Sequence, residues 1–235
     1  MNTKKTFLEL EDLGIVIIYK PIKNVRLTVH PPDGEVRVSA PLTMNPDIVR
    51  AFVFSKLSWI KRQRQKILAR DREAPRQYIN GENHFFCGQS YLLKVIEHQG
   101  PPEVNLTPQI LKLYVRPHTS QNKRHHLISE WYRQQLKLII PALIAKYEPI
   151  MGVEVREFGV KRMKTRWGTC NSRAQRIWLN LELAKKPLAC LEYVVVHEMT
   201  HLLEHRHNDR FWGLIDTFYP QWRQHREELN RLPLG

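Results

Sequence analysis

The chain has no apolar run approaching the ~18 residues that read as a membrane-spanning helix. Its longest candidates, Ile15 to Tyr19 and Leu136 to Ile144, are short or interrupted by Lys137 and Pro141. Residues 1–8 carry Lys4 and Lys5 but no apolar stretch before Glu9, Glu11 and Asp12, so no signal peptide is read and the expected compartment is the cytoplasm. Cysteine is scarce. Cys87, Cys170 and Cys190 are widely spaced, odd in number and without a CxxC pair, which argues against a disulfide framework and leaves reduced thiols as the expectation. Low-complexity sequence is missing too: 42% hydrophobic and 26% charged residues is ordinary globular usage, against disorder and collagen.

Acidic residues are the other deficit. Lys and Arg number 37 against 23 Asp and Glu, a net charge of +14 that attracts polyanions and anionic substrates. Two stretches contain no acid at all: Arg50 to Arg70 holds seven basic residues and Lys161 to Arg176 holds six. The first follows a helical pattern, with Asn45 and Pro46 as N-cap and first-turn pair and a stripe through Ile48, Phe52, Leu57, Ile60 and Leu68. Its charges fall mostly on the solvated face, which suits an ordinary helix surface or contact with a polyanion such as a nucleic acid.

A length of 235 residues allows one large domain or two lobes. Strands are expected at Ile15 to Tyr19, Arg26 to His30 and Glu35 to Ser39, with Pro32, Asp33 and Gly34 turning the last two into a hairpin. Further strands are expected at Phe85–Phe86, Tyr91 to Ile96 and Leu111 to Val115. A helix from His118 to Tyr147 should kink or break at Pro141. Val153 to Phe158 and Arg176 to Leu181 read as strands around a loop at Gly168 to Ala174. The remainder is helical, from Leu188 to about Arg206, Asp209 to Tyr219 and Gln221 to Asn230. Strands early, helices late and no βαβ alternation indicate an α+β fold. The expected division is a β-rich lobe over 1–117, with one basic helix at about 45–70, and a second lobe over 118–235; no internal repeat is evident.

The chemistry lies in His197-Glu198-Met199-Thr200-His201, an H-E-x-x-H motif within an apolar helical pattern led by Val194, Val195 and Val196. Residues four apart share a helix face, so His197 and His201 present two imidazoles to one cation. Zinc suits them, since a catalytic zinc keeps three protein ligands and one open position. Glu198 is placed to act as general base on a water activated there. The third ligand is sought among Glu204, His205, His207 and Asp209. The first two turn away on a continuing helix, whereas His207 sits in a polar run where a turn is expected, before Asn208 as N-cap of the next helix. His207 is favoured, with Glu204 or Glu192 left to orient an imidazole.

These residues also carry a resemblance. Val196 to Leu202, His207 and Phe211-Trp212, preceded by Arg166-Trp167-Gly168-Thr169-Cys170 and Trp178-Leu179-Asn180-Leu181, resemble the YgjP-like (SprT-related) metallopeptidase family. The hairpin Arg26 to Ala40 and the Trp59-Ile60 helix extend the likeness to roughly residues 15–230. Thr169 stands where that family more often has Ser, and Met199-Thr200 where Leu-Ala-like pairs are common. The resemblance implies a zincin-like metal-dependent hydrolase with His197, His201 and His207 as zinc ligands and Glu198 as base. It also implies a substrate choice, because some members are associated with pyrophosphohydrolysis of nucleoside triphosphates, notably UTP.

In the loop before Cys170, Arg166 or Lys164 is suited to stabilise an oxyanion, and Gly168 to let backbone approach closely. Cys170 reads as a small buried residue before a fourth ligand or a redox-sensitive thiol. A peptide substrate would pair with the strand Arg176 to Leu181. A nucleotide would meet Lys164, Arg166, Arg173 and Arg176; these basic residues and Asn180 are the candidate substrate contacts. The peptidase reading ranks first, the nucleotide hydrolase second and a nucleic-acid-associated metalloprotein third.

Overall fold

The computed structural model describes residues 4–30, 33–68 and 76–231. The chain forms two compact units, residues 1–71 and 72–235.

In the first unit, β1 (Lys4–Leu10), β2 (Leu13–Lys20), β3 (Arg26–His30) and β4 (Glu35–Pro41) form one sheet in the order β1-β2-β4-β3. The outer pairs are antiparallel and β2 runs parallel to β4. Alternation along β4 buries Val36, Val38 and Ala40 against Ile15 and Ile17 of β2 and against Val49, Val53 and Ile60 of the helices. Those helices are α1 (Pro46–Ser55) and α2 (Leu57–Leu68). The cap is as the sequence indicates, Asn45 accepting from the Asp47 amide at 2.8 Å with Pro46 in the first turn. The single basic helix is instead interrupted at Lys56. There the Ser55 hydroxyl donates to the Phe52 carbonyl at 2.7 Å, competing with the helical ladder. Pro32 of the expected turn and Arg70 of the basic run lie outside the described residues.

The second unit begins with β5 (Asn83–Phe86), β6 (Gln89–Glu97), β7 (Glu103–Leu106) and β8 (Ile110–Val115), in the order β5-β6-β8-β7. Strand directions repeat those of the first sheet, with antiparallel outer pairs and a parallel centre. The topology therefore occurs twice, although no sequence repeat announces it: alternating apolar positions carry it, and alternation leaves the residue identities free. Here the expected boundary at 117 is corrected. Leu93, Leu111, Leu113 and Val115 share one core with Ile128, Tyr132 and Leu136 of α3 (Gln121–Met151), so this sheet and the C-terminal helices form one unit. The Tyr132 hydroxyl donates to the Phe85 carbonyl at 2.8 Å, fastening helix to sheet.

Helix α3 runs through Pro141 without a break. Pro141 and Lys137, whose carbonyl loses its partner, are both exposed, so water solvates the free group while the buried stripe Leu136, Ile140, Ile144 and Tyr147 stays continuous. Beyond it, β9 (Glu157–Lys161), β10 (Gly168–Asn171) and β11 (Arg176–Asn180) form a sheet in the order β10-β11-β9. The strand expected at 153–158 begins only at Glu157, and part of the expected loop at 168–174 is β10. A 3-10 turn over Leu181–Lys185 leads to α4 (Leu188–Thr200), α5 (Asp209–Phe218) and α6 (Trp222–Arg231).

Candidate metal centre

Helix α4 is apolar on nearly every side, with Val194, Val195, Val196 and Met199 buried, and this burial holds its polar residues in place. It ends at Thr200, leaving His201 as the C-cap, and the chain turns out of the helix through residues 201–208. Asn208 then caps α5 by accepting from the Phe211 amide at 3.0 Å. That departure brings His207 back. Donor atoms of His197, His201 and His207 all lie within 4.8 Å of one another, and the Nε2 atoms of His197 and His207 are 2.9 Å apart.

The donor set fits a zinc-class cation. Nδ1 of His201 lies 3.1 Å from the Glu204 carbonyl, which only accepts, so that nitrogen carries the proton and Nε2 keeps its lone pair. Burial, then His201, His207 and Arg226, hold the His197 imidazole down to about 3. Burial also lowers His201 and His207. All three rings are thus neutral near pH 7, the form that binds a metal.

Glu198 is 5% exposed and sits against β10, close enough that a Cβ on Gly168 would fall 2.5 Å from its Oε1. Burial pushes its carboxyl up to about 8, and the charge of Arg166 opposes the shift. Arg166, Gly168, Glu198 and the three histidines line one cleft of about 700 Å³.

The structure does not bring every candidate here. Lys164, Arg173, Arg176 and Asn180 are not among the residues lining the cleft. Arg176 pairs with Glu157 at 3.2 Å, and Arg173 is exposed in the turn after β10. Asn180 is buried and structural: its Nδ2 donates to the Met163 and Arg166 carbonyls, both at 2.8 Å, holding the loop that presents Arg166. Glu192 pairs with Lys146 and Tyr147 instead of an imidazole, and Glu204 reaches His201 through its carbonyl, not its carboxylate. His205 lines the cleft but is not one of the clustered donors. Cys170 lines it as well, with burial and Glu198 pushing its thiol up to about 12, but its sulfur is not among the clustered donors. β11 is the central strand of its sheet, so both its edges are taken and it is not free to pair with a peptide as expected.

Tyr193 and Arg226, given no role by the sequence reading, line the cleft as well, and Trp212, quoted above for the resemblance alone, packs beside it. Tyr193, one helical turn before His197, has its hydroxyl 3.5 Å from His197 Nδ1. Trp212 stacks on His207 with centroids 5.6 Å apart and planes 22° apart. Arg226 of α6 also lines the cleft. Tyr193 carries a sequence signal in its i−4 spacing from His197, whereas Arg226 carries none.

The family model described as YgjP-like, metallopeptidase domain, matches residues 23–232 of the chain. No curated protein matches it. Among solved structures, the crystal structure of the metallopeptidase zymogen of Pyrococcus abyssi abylysin superposes with a TM-score of 0.36 at 16% identity, over 39% of this chain and 91% of that one. That likeness is too loose to bear on this chain's site.

Proposed function

Because the chain belongs to the YgjP-like metallopeptidase family, a family of metal-dependent hydrolases, we propose that it is a zinc peptidase. In this reading His197, His201 and His207 hold the ion and Glu198 is the general base. When bound, the ion supplies Lewis acidity and lowers the pKa of water towards ~7. Glu198 takes the water's proton on a carboxylate oxygen and returns it to the leaving amine. Its burial favours the protonated form while Arg166 favours the ionised one, so the group is suited to both halves of that transfer. Arg166, facing the cleft, is placed to meet charge developing on the carbonyl oxygen.

The observation that carries the reading is the contact of Glu198 with an edge strand beside the three clustered imidazoles. In the β10–β11 ladder the Asn180 amide donates to the Trp167 carbonyl at 2.8 Å. Antiparallel parity then aims the backbone groups of residues 169 and 171 at β11 and those of Gly168 and Cys170 at the open edge. An extended peptide pairing there lies against Glu198.

A nucleoside triphosphate hydrolase has less support, since Arg166 alone of the four basic candidates lines the cleft. Zinc-loaded protein incubated with an unfolded protein, UTP and a panel of other triphosphates separates the two readings: Glu198-dependent cleavage of the protein supports the first and triphosphate-specific hydrolysis the second. Polyanion contact through exposed Arg50, Lys56 and Arg62 is a separate proposal. Salt-sensitive binding of DNA or RNA, lost when these charges are removed, tests it.

A further inference from the structure

The cleft has a second cationic wall. Arg226 and Asn230 lie one turn apart on α6, on one helix face, and both line the cleft that holds the imidazoles. The Arg226 guanidinium is fixed by stacking, 4.9 Å from the ring centre of Trp212 and 5.6 Å from that of Trp222. The two indoles stack on each other at 4.7 Å and 20°. Trp212 in turn stacks on His207, so the arginine is tied through that indole to the third donor.

No carboxylate among the described residues pairs with Arg226, whereas Arg223 on the same helix is bound by Asp216 at 2.5 Å. Its fork is therefore oriented, exposed and, among the described residues, without a carboxylate partner. Such a guanidinium binds a carboxylate through two parallel hydrogen bonds, and the Asn230 amide adds a donor.

We infer that Arg226, with Asn230, forms a carboxylate-binding subsite of the cleft, so that preferred peptides carry either an acidic side chain or a free C-terminus at one position. The inference rests on the peptidase reading and names its substrate class. A polyphosphate fits less well. It calls for adjacent cations, but the cleft's other arginine, Arg166, stands at the Glu198 end, and Lys164, Arg173 and Arg176 line no part of it.

The test uses the zinc-loaded full-length Glu198→Gln chain, so that binding is read without turnover. The probes are fluorescein-labelled hexapeptide pools: amidated with Glu fixed at each position in turn, amidated with Gln there, and the Gln pools with free C-termini. One acidic pool should bind on the order of tenfold more tightly than its neutral counterpart. Which pool does so identifies the source of the carboxylate. Adding Arg226→Ala should abolish the difference at unchanged zinc content, and Arg226→Lys should retain part of it because the charge stays while the fork is lost. Equal binding of acidic and neutral pools overturns the proposal, as does a preference that survives Arg226→Ala. Arg226-dependent displacement of a neutral pool by inorganic triphosphate, with no acidic preference, assigns the site to phosphate and also overturns it. An Arg226-dependent preference in a protein that, with Glu198 intact, cleaves none of the pools leaves the subsite standing and removes the peptidase reading; cleavage without acidic preference does the reverse.

Discussion

Gly168 and Glu198 are packed so closely that a Cβ on the glycine would lie 2.5 Å from Oε1 and 2.6 Å from Cγ of the glutamate. The glutamate side chain fills the space that a Cβ at position 168 would need. Gly168→Ala should push the carboxylate aside without touching the ligands, lowering hydrolysis by about 10²-fold, the low end of general-base loss. Zinc content by elemental analysis should be unchanged. Full activity in this variant would show that the contact does not position the base.

The third ligand gives a second prediction. His207→Ala should reduce bound zinc well below one per chain, whereas His205→Ala should retain it, because His207, and not His205, brings a donor within 4.8 Å of the other two. The opposite pattern would move the ligand.

The stack on that ligand gives a third. Trp212→Leu removes the ring that fixes His207, and zinc affinity measured against a chromophoric chelator should fall by about tenfold, as for other groups that orient a ligand. Unchanged affinity would make the stack incidental.

Features encoded by local sequence were legible before the structure, and those that depend on distant partners were not. The caps at Asn45 and Asn208 and the apolar lead-in to His197 act over three or four residues, and all three were readable. The return of His207 was readable because the polar run 205–209 cannot continue an apolar helix. β10 was not: Gly168-Thr169-Cys170-Asn171 has turn-like composition and is a strand only because β11 pairs with it. β1 was missed since its apolar Phe7 is 73% exposed, so no buried face announced it. Arg226 was out of reach because nothing local links α6 to a cleft built nearly thirty residues earlier.

The open edge supplies a fourth prediction. Cys170→Pro deletes an amide aimed away from β11, so it should leave the sheet paired while weakening peptide binding. KM should rise about two- to tenfold, one hydrogen bond's worth, at little change in kcat. A variant with unaltered KM would mean that peptides do not pair with β10.

Acid stability is a fifth. Burial, aided by Arg76 and opposed by Glu82, holds buried His84 down to about 4. The unfolded chain's histidine titrates near ~6.5 and binds more protons in between, so this contribution is complete above that value and is lost as the pH falls towards about 4. The metal-free protein should lose about 1–3 kcal/mol across the window. His84→Gln should make the fall of Tm with pH shallower, and an identical slope would contradict the assignment.

The most direct test is cleavage of a reduced, unfolded protein by the zinc-loaded chain beside Glu198→Gln loaded to the same zinc content, with products read by mass spectrometry. The account predicts new peptide termini with the unaltered chain and at least about 10²-fold fewer with the variant. Equal cleavage by both, or none by either at full zinc occupancy, would contradict it.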